Sequence, residues 1–239
     1  MLVAAAVCPC PPLLVPQVAA GAAAELAAAR TACSDALAVL AASRPDLLVV
    51  VGAAEQGGGY DQGTPGSFRA YGVDLAVRLG PPPAEPAGES TGGDLPLSLS
   101  VAAWLLDRAQ WSGTPIAGVA VAERLEPEPC AVLGADLAAT SERVALLVMA
   151  DGSARRSLKA PGYLDERAEA FDAGIARALA AADTAALAAL DADLAHELMA
   201  AGRAPVQVLA GAAEGAGLAG RLLYEDAPYG VGYFVAAWS

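Results

Sequence analysis

The sequence predicts an α/β fold with a mostly parallel or mixed central sheet and helices on both faces. Three observations predict it. "DLLVVVG" (Asp46–Gly52) and "RVALLVMA" (Arg143–Ala150) are continuous apolar runs, the pattern of strands buried on both faces. Ala/Leu-rich helical stretches alternate with such runs, as crossover connections require. The 239 residues suffice for one sheet with a real core and show no internal repeat, so 1–239 reads as a single domain.

The first element is a strand over Val3–Val7, β-branched and Ala-rich, stopped by Pro11, Pro12 and Pro16. Gln17–Leu40 reads as one helix, closed by Arg44-Pro45. After the strand 46–52, "AAEQGGGYDQGTPGS" (Ala53–Ser67) reads as a long Gly-rich loop. It lacks the Lys and the helix start of a phosphate-binding loop. "FRAYGVDLAVRLG" alternates weakly, as one or two edge strands would. Pro81–Asp94 is a Pro/Gly-rich insertion, expected to be mobile and not a domain linker, because strand–helix alternation resumes after it.

Leu95–Ala109 reads as a helix opened by Asp94 and Pro96, "PIAGVAVA" as a strand and Glu128–Ala139 as a helix. Beyond the strand 143–150, helices are expected over Asp165–Ala182, Thr184–Leu190, Ala192–Ala201 and Ala204–Gly215. "RLLYEDAPYGVGYFVAAW" closes the chain as strand, turn, strand.

The net charge is −13 and Lys159 is the single lysine. Such a chain repels phosphate backbones, so no nucleic-acid partner is expected. The basic spot at Arg155, Arg156 and Lys159 reads as a solvated loop. No apolar run approaches the length of a membrane span, and "MLVAAAVC" lacks the basic start of a signal peptide. The expectation is a cytoplasmic protein without a membrane partner, with Cys8, Cys10, Cys33 and Cys130 as reduced thiols.

In a parallel sheet, ligands bind beyond the carboxyl ends of the strands. Three loops leave those ends: Cys8–Pro12, Gly52–Gly59 and Asp151–Ser157. Their convergence makes Cys8, Cys10, Pro11, Glu55, Gln56, Tyr60 and Asp151 the candidate pocket. Asp151, Ser153 and Arg156 are the candidate catalytic groups. Two roles are open for Asp151, a pocket acid or the cap of the turn that follows it. Ser153 has no plausible His base. His196, in "DLAHELMA", reads as a solvent-side or core-edge residue of an amphipathic helix.

In order along the chain, "CPPLLVP", "LLVVVG", "LPLSLSVAAWLL", "LLVMADGS", "YLDERAEAFD" and "YEDAPYGVGYFVAAW" resemble the class III extradiol ring-cleaving dioxygenases. The closest branch is the catalytic β-subunit-like proteins, with Memo-like proteins as relatives. The resemblance spans nearly the whole chain, and "PYGVGYFVAAW" and "MADGS" are its most specific pieces. It implies ring opening of catechols by O₂ at a mononuclear Fe(II), held by two histidines and a carboxylate, with a further histidine as acid/base.

Carried over by residue, the first histidine position is Cys10, before Pro11-Pro12-Leu13. The second falls at Ala54 or Glu55, the acid/base at Ala154 after Asp151-Gly152-Ser153, and the late carboxylate near Ala200. One histidine in the chain cannot supply three imidazoles. The resulting expectation is a β-subunit-like protein without standard Fe(II) ring cleavage, repurposed for binding a small molecule. The alternative is a divergent metal-dependent oxidoreductase or dioxygenase with an altered site. No cofactor is expected; Zn(II) on Cys10 and Glu55 is the alternative, since thiolate favours softer ions. Relatives of this kind often assemble, so a homo-oligomer paired through "GYFVAAW" is a further expectation.

Overall fold

A computed structural model describes residues 1–82 and 93–239. The strands are β1 (Leu2–Cys8), β2 (Leu47–Ala54), β3 (Gly58–Tyr60), β4 (Pro65–Ser67), β5 (Ala76–Arg78), β6 (Ile116–Ala122), β7 (Val144–Met149), β8 (Gly220–Asp226) and β9 (Tyr233–Trp238). The helices are α1 (Pro16–Ala19), α2 (Ala27–Ala42), α3 (Leu97–Arg108), α4 (Pro127–Ala139), α5 (Arg167–Ala181), α6 (Thr184–Ala188), α7 (Ala192–Glu197) and α8 (Arg203–Ala213). Most of the insertion expected at 81–94 lies outside the described residues.

Seven strands form one mixed sheet in the order β3-β6-β2-β7-β1-β9-β8. β6, β2, β7 and β1 run parallel; β3 joins β6, and β9 joins β1, antiparallel. β8 closes the far edge antiparallel to β9. The α/β class with helices on both faces is therefore the observed architecture.

Strand side chains alternate between faces with a period of two. Cys8, Leu48, Leu147, Met149, Tyr233 and Val235 pack with α2 and α3 on one face. Val7, Val49, Val51, Leu146, Val148 and Phe234 pack with α5 and α8 on the other. On that second face α8 and α4 meet almost backbone to backbone. A Cβ at Gly134 would fall 2.6 Å from the amide nitrogen of Ala212, and one at Gly211 2.6 Å from Cα of Ala131.

Three expectations change. The helix foreseen over 17–40 is broken: α1 ends, Ala20 takes φ 47, and 3₁₀ turns run over Ala20–Leu26 before α2. The cause is weak anchoring, for no side chain from Ala20 to Glu25 is buried. Arg30 satisfies freed backbone there, donating to the carbonyls of Leu14 and Ala23.

The Gly-rich stretch is not all loop. Gly58–Tyr60 pairs with β6, and Pro65–Ser67 pairs with β5 in a separate two-stranded sheet. Finally, "GYFVAAW" offers no free edge to a second copy. β9 lies between β1 and β8 with all six of its residues buried.

Candidate functional site

The carboxyl ends of β1 and β7 lie side by side, with Cys8 opposite Met149. Two residues further on stand Cys10 and Asp151. Pro9, Pro11 and Pro12 have no amide hydrogen, so Cys10 carries the one backbone donor of the 9–12 stretch. Asp151 takes it: Cys10 N donates to Oδ1 at 2.9 Å, and Cys10 Sγ lies 3.7 Å from Oδ2. Asp151 therefore does not cap its own turn. It latches the Cys-Pro loop to the end of β7, because that loop has an amide in need of a partner.

The electrostatics follow from burial. Burial pushes the Asp151 carboxyl up to about 6, against the two hydrogen bonds from Cys10. Burial, then the charge of Asp151, pushes the Cys10 thiol well up. Thiolate is thus disfavoured at Cys10, and the pair is suited to holding or passing a proton rather than to nucleophilic attack. Cys8 turns into the core, where contact with the Cys33 side chain and burial raise its thiol well above the usual range.

Tyr233, within the quoted "PYGVGYFVAAW" but given no role from the sequence, joins this pair. It forms an isolated antiparallel bridge with Asp151, which sets both residues on one face of the sheet. Tyr233 is 3% exposed, and its hydroxyl is pushed far up by burial, then by the charges of Asp151 and Cys10. The half-exposed Tyr71 also senses Cys10, after a larger effect of burial, and the charge of Glu123 reaches Cys10 from beyond β6.

Ser153 and Arg156 belong to a second cluster on the other face. Asp172, on α5, is 0% exposed. It accepts from Ser153 N and Ser153 Oγ, both at 2.8 Å, and from Arg156 Nη1 at 3.1 Å. Burial raises its carboxyl, opposed by these three donors. Ser153 is itself 0% exposed and committed to a carboxylate, and Arg156 is engaged by Asp172 rather than Asp151. The one sequence trace of this cluster was Asp172 as the last letter of "YLDERAEAFD".

Of the remaining pocket residues, Pro11 is buried and starts a 3₁₀ turn, accepting from Leu14 N at 2.9 Å. Glu55 and Gln56 are exposed beyond β2, next to β7, and Glu55 forms no hydrogen bond or ion pair among the described residues. Tyr60 is separated from Cys10, because β3 lies four places from β1 in the sheet, roughly 19 Å at the usual strand spacing. It also pairs with Gly118 below the strand ends.

Buried Arg203 was likewise unforeseen. It donates to the carbonyl of Glu123 at 2.7 Å, to that of Leu125, and to Gln207 Oε1 at 3.0 Å, fastening the loop after β6. Its signal was an Arg and a Gln at i, i+4 in the apolar helix "RAPVQVLA".

Three of the positions that the resemblance assigns, those of the first histidine, the acid/base histidine and the late carboxylate, lie around Asp151. Ala154 N donates to Leu198 O at 3.0 Å, and Gly202 N, two residues after Ala200, to Asp151 O at 2.9 Å. They bring a thiol and two buried alanines. His196 is exposed and meets Arg124. Among the described residues no three of His, Cys, Asp and Glu are grouped to hold a metal ion. The donors present therefore do not fit a two-imidazole, one-carboxylate iron centre. A cavity of about 620 Å³ lies elsewhere, between β5 and α3, against Trp104 and Trp111.

Fold and site together define an α/β protein with a mixed sheet and a carboxyl–thiol–phenol cluster at its strand ends. No protein-family model matches the chain, and no curated protein matches it in sequence. Among solved structures it is similar to the uncharacterized protein JW3007 of Escherichia coli K12, with a TM-score of 0.58 and 13% identity. That match covers 99% of this chain and 100% of the other, and shows a shared fold. No helix among the described residues is long and apolar enough to cross a membrane.

Proposed function

We propose that this chain is a class III extradiol dioxygenase β-subunit-like protein that binds a small molecule at its strand ends and does not carry out Fe(II) ring cleavage. One observation carries the reading. The positions where the resemblance places one iron-binding histidine, the acid/base histidine and the carboxylate are Cys10, Ala154 and Ala200, and they lie around Asp151 without an imidazole among them. Opening a catechol ring with O₂ needs a metal with sites for catecholate and O₂ and a base beside it. A protonated thiol and a carboxyl titrating near 6 offer hydrogen bonds and a proton instead.

Oxygen uptake tests this on the full chain supplied with Fe(II) and catechol. The expected trace equals that of a protein-free control. Catechol-dependent uptake that Cys10→Ala abolishes would contradict it. Binding is expected to register as a ligand-dependent rise in melting temperature across a metabolite set.

A further inference from the structure

We propose that the cavity between β5 and α3 binds a flat, neutral aromatic molecule that carries a hydrogen-bond acceptor. Cys10, Asp151 and Tyr233 are not among the residues that bound it, so this site is separate from the strand-end cluster and independent of any iron chemistry there. Its volume of about 620 Å³ suits a small molecule rather than a protein segment.

Trp111 carries the assignment. α3 ends at Arg108, and the chain leaves it through two reverse bonds: Gln110 N donates to Asp107 O and Trp111 N to Leu106 O, both at 2.9 Å. That cap needs a left-handed residue, and Gln110 takes φ 54 where glycine is the usual choice. The turn brings Trp111 back toward Leu106, and both residues line the cavity. Trp111 Nε1 is buried, yet it finds no acceptor among the described residues. A buried indole N–H ordinarily has a partner, because without one it forfeits its hydration. Trp238 shows the ordinary case, with its Nε1 donating to Leu179 O at 2.8 Å.

The remaining lining defines the ligand class. Trp104, Val77 and Leu106 give aromatic and apolar walls, against which a planar ring gains stacking and burial. The two charged residues that line the cavity, Arg78 and Asp107, are exposed and opposite in sign, so neither an anion nor a cation is favoured. Arg78 also donates to Gly63 O at 3.2 Å. The orphan donor of Trp111 calls for an acceptor on the ring, a carbonyl oxygen or a ring nitrogen.

Titration of the full, isotope-labelled chain with coumarin, indole and caprolactam tests this, read by proton–nitrogen NMR on the indole N–H signals of its three tryptophans. Coumarin has a ring and a carbonyl, indole a ring without an acceptor, and caprolactam a carbonyl without an aromatic ring. Coumarin should move the Trp111 signal downfield and saturably, while the Trp238 signal, already hydrogen-bonded, stays in place. Trp111→Phe identifies the Trp111 signal by its loss. Indole and caprolactam should bind at least several-fold more weakly. Trp111→Phe, which keeps an aromatic ring, should weaken coumarin several-fold. Ala76→Phe, which fills the cavity from an exposed position on β5, should abolish coumarin binding and serves as a second variant should Trp111→Phe fail to fold.

Three results would overturn the assignment: a Trp111 signal that coumarin leaves unmoved, indole or caprolactam binding as tightly as coumarin, or full coumarin affinity in Ala76→Phe.

Discussion

Asp151 holds a carboxyl in a place where its charge is poorly solvated, and the consequence is a pH-dependent cost. Its folded-state value of about 6 lies above that of an exposed aspartate, so the native chain binds more protons than the unfolded chain between about pH 4 and 6. Stability from this group is full below that window and is lost as pH rises through it. Asp151→Asn keeps an acceptor for the Cys10 amide and cannot ionise. Relative to wild type, the variant should therefore gain about 2–3 kcal/mol on going from about pH 4 to 7, measured by urea unfolding across that range. Parallel curves would remove the buried-charge account. Asp172 is likewise raised by burial but is held by three donors. Asp172→Ala would strand Ser153 and Arg156 and should cost about 3–5 kcal/mol, read by the same method. At this scale the sequence was half legible. Cys10 and Asp151 were visible because strand ends and prolines flag them. Tyr233 and Asp172 were not, since their partners are more than eighty and nearly twenty positions away and depend on how β7, β9 and α5 are placed.

Elements were legible wherever apolar periodicity was strong. The strands around 46–52 and 143–150 appear within two residues of the expected bounds, because their apolar runs leave no alternative to burial. Ala-rich segments were harder. Alanine favours helix everywhere and anchors it nowhere, so the break at Ala20 had no sequence mark beyond the gap in large side chains between Val18 and Leu26. β3 and β4 escaped notice because Gly-rich strands carry no side-chain pattern to read. The contact of α4 with α8 depends on Gly134 and Gly211 having no Cβ. Gly211→Val would drive a side chain into Ala131 and should cost about 3 kcal/mol or more, seen as a lower melting temperature. Gly174, with nothing within 4 Å, provides the control: Gly174→Ala should be neutral or slightly stabilising in the helix.

For the whole molecule, the sheet order places two polar clusters on opposite faces of one set of strand ends. Cys10, Asp151 and Tyr233 face α2 and α3; Ser153, Arg156 and Asp172 face α5. The candidate residues named from sequence thus divide between a carboxyl–thiol–phenol cluster and a structural latch. That division could not be read from one dimension, where Asp151, Ser153 and Arg156 stand together in "DGSARR". The central claim of the proposed function is that the strand ends hold no iron centre. Metal content tests it most directly: the full chain, produced with added iron and dialysed anaerobically, is assayed for bound metal by plasma emission. The account expects iron and zinc well below one per chain, unchanged by Cys10→Ala. One tightly held iron per chain, lost in Cys10→Ala, would contradict it.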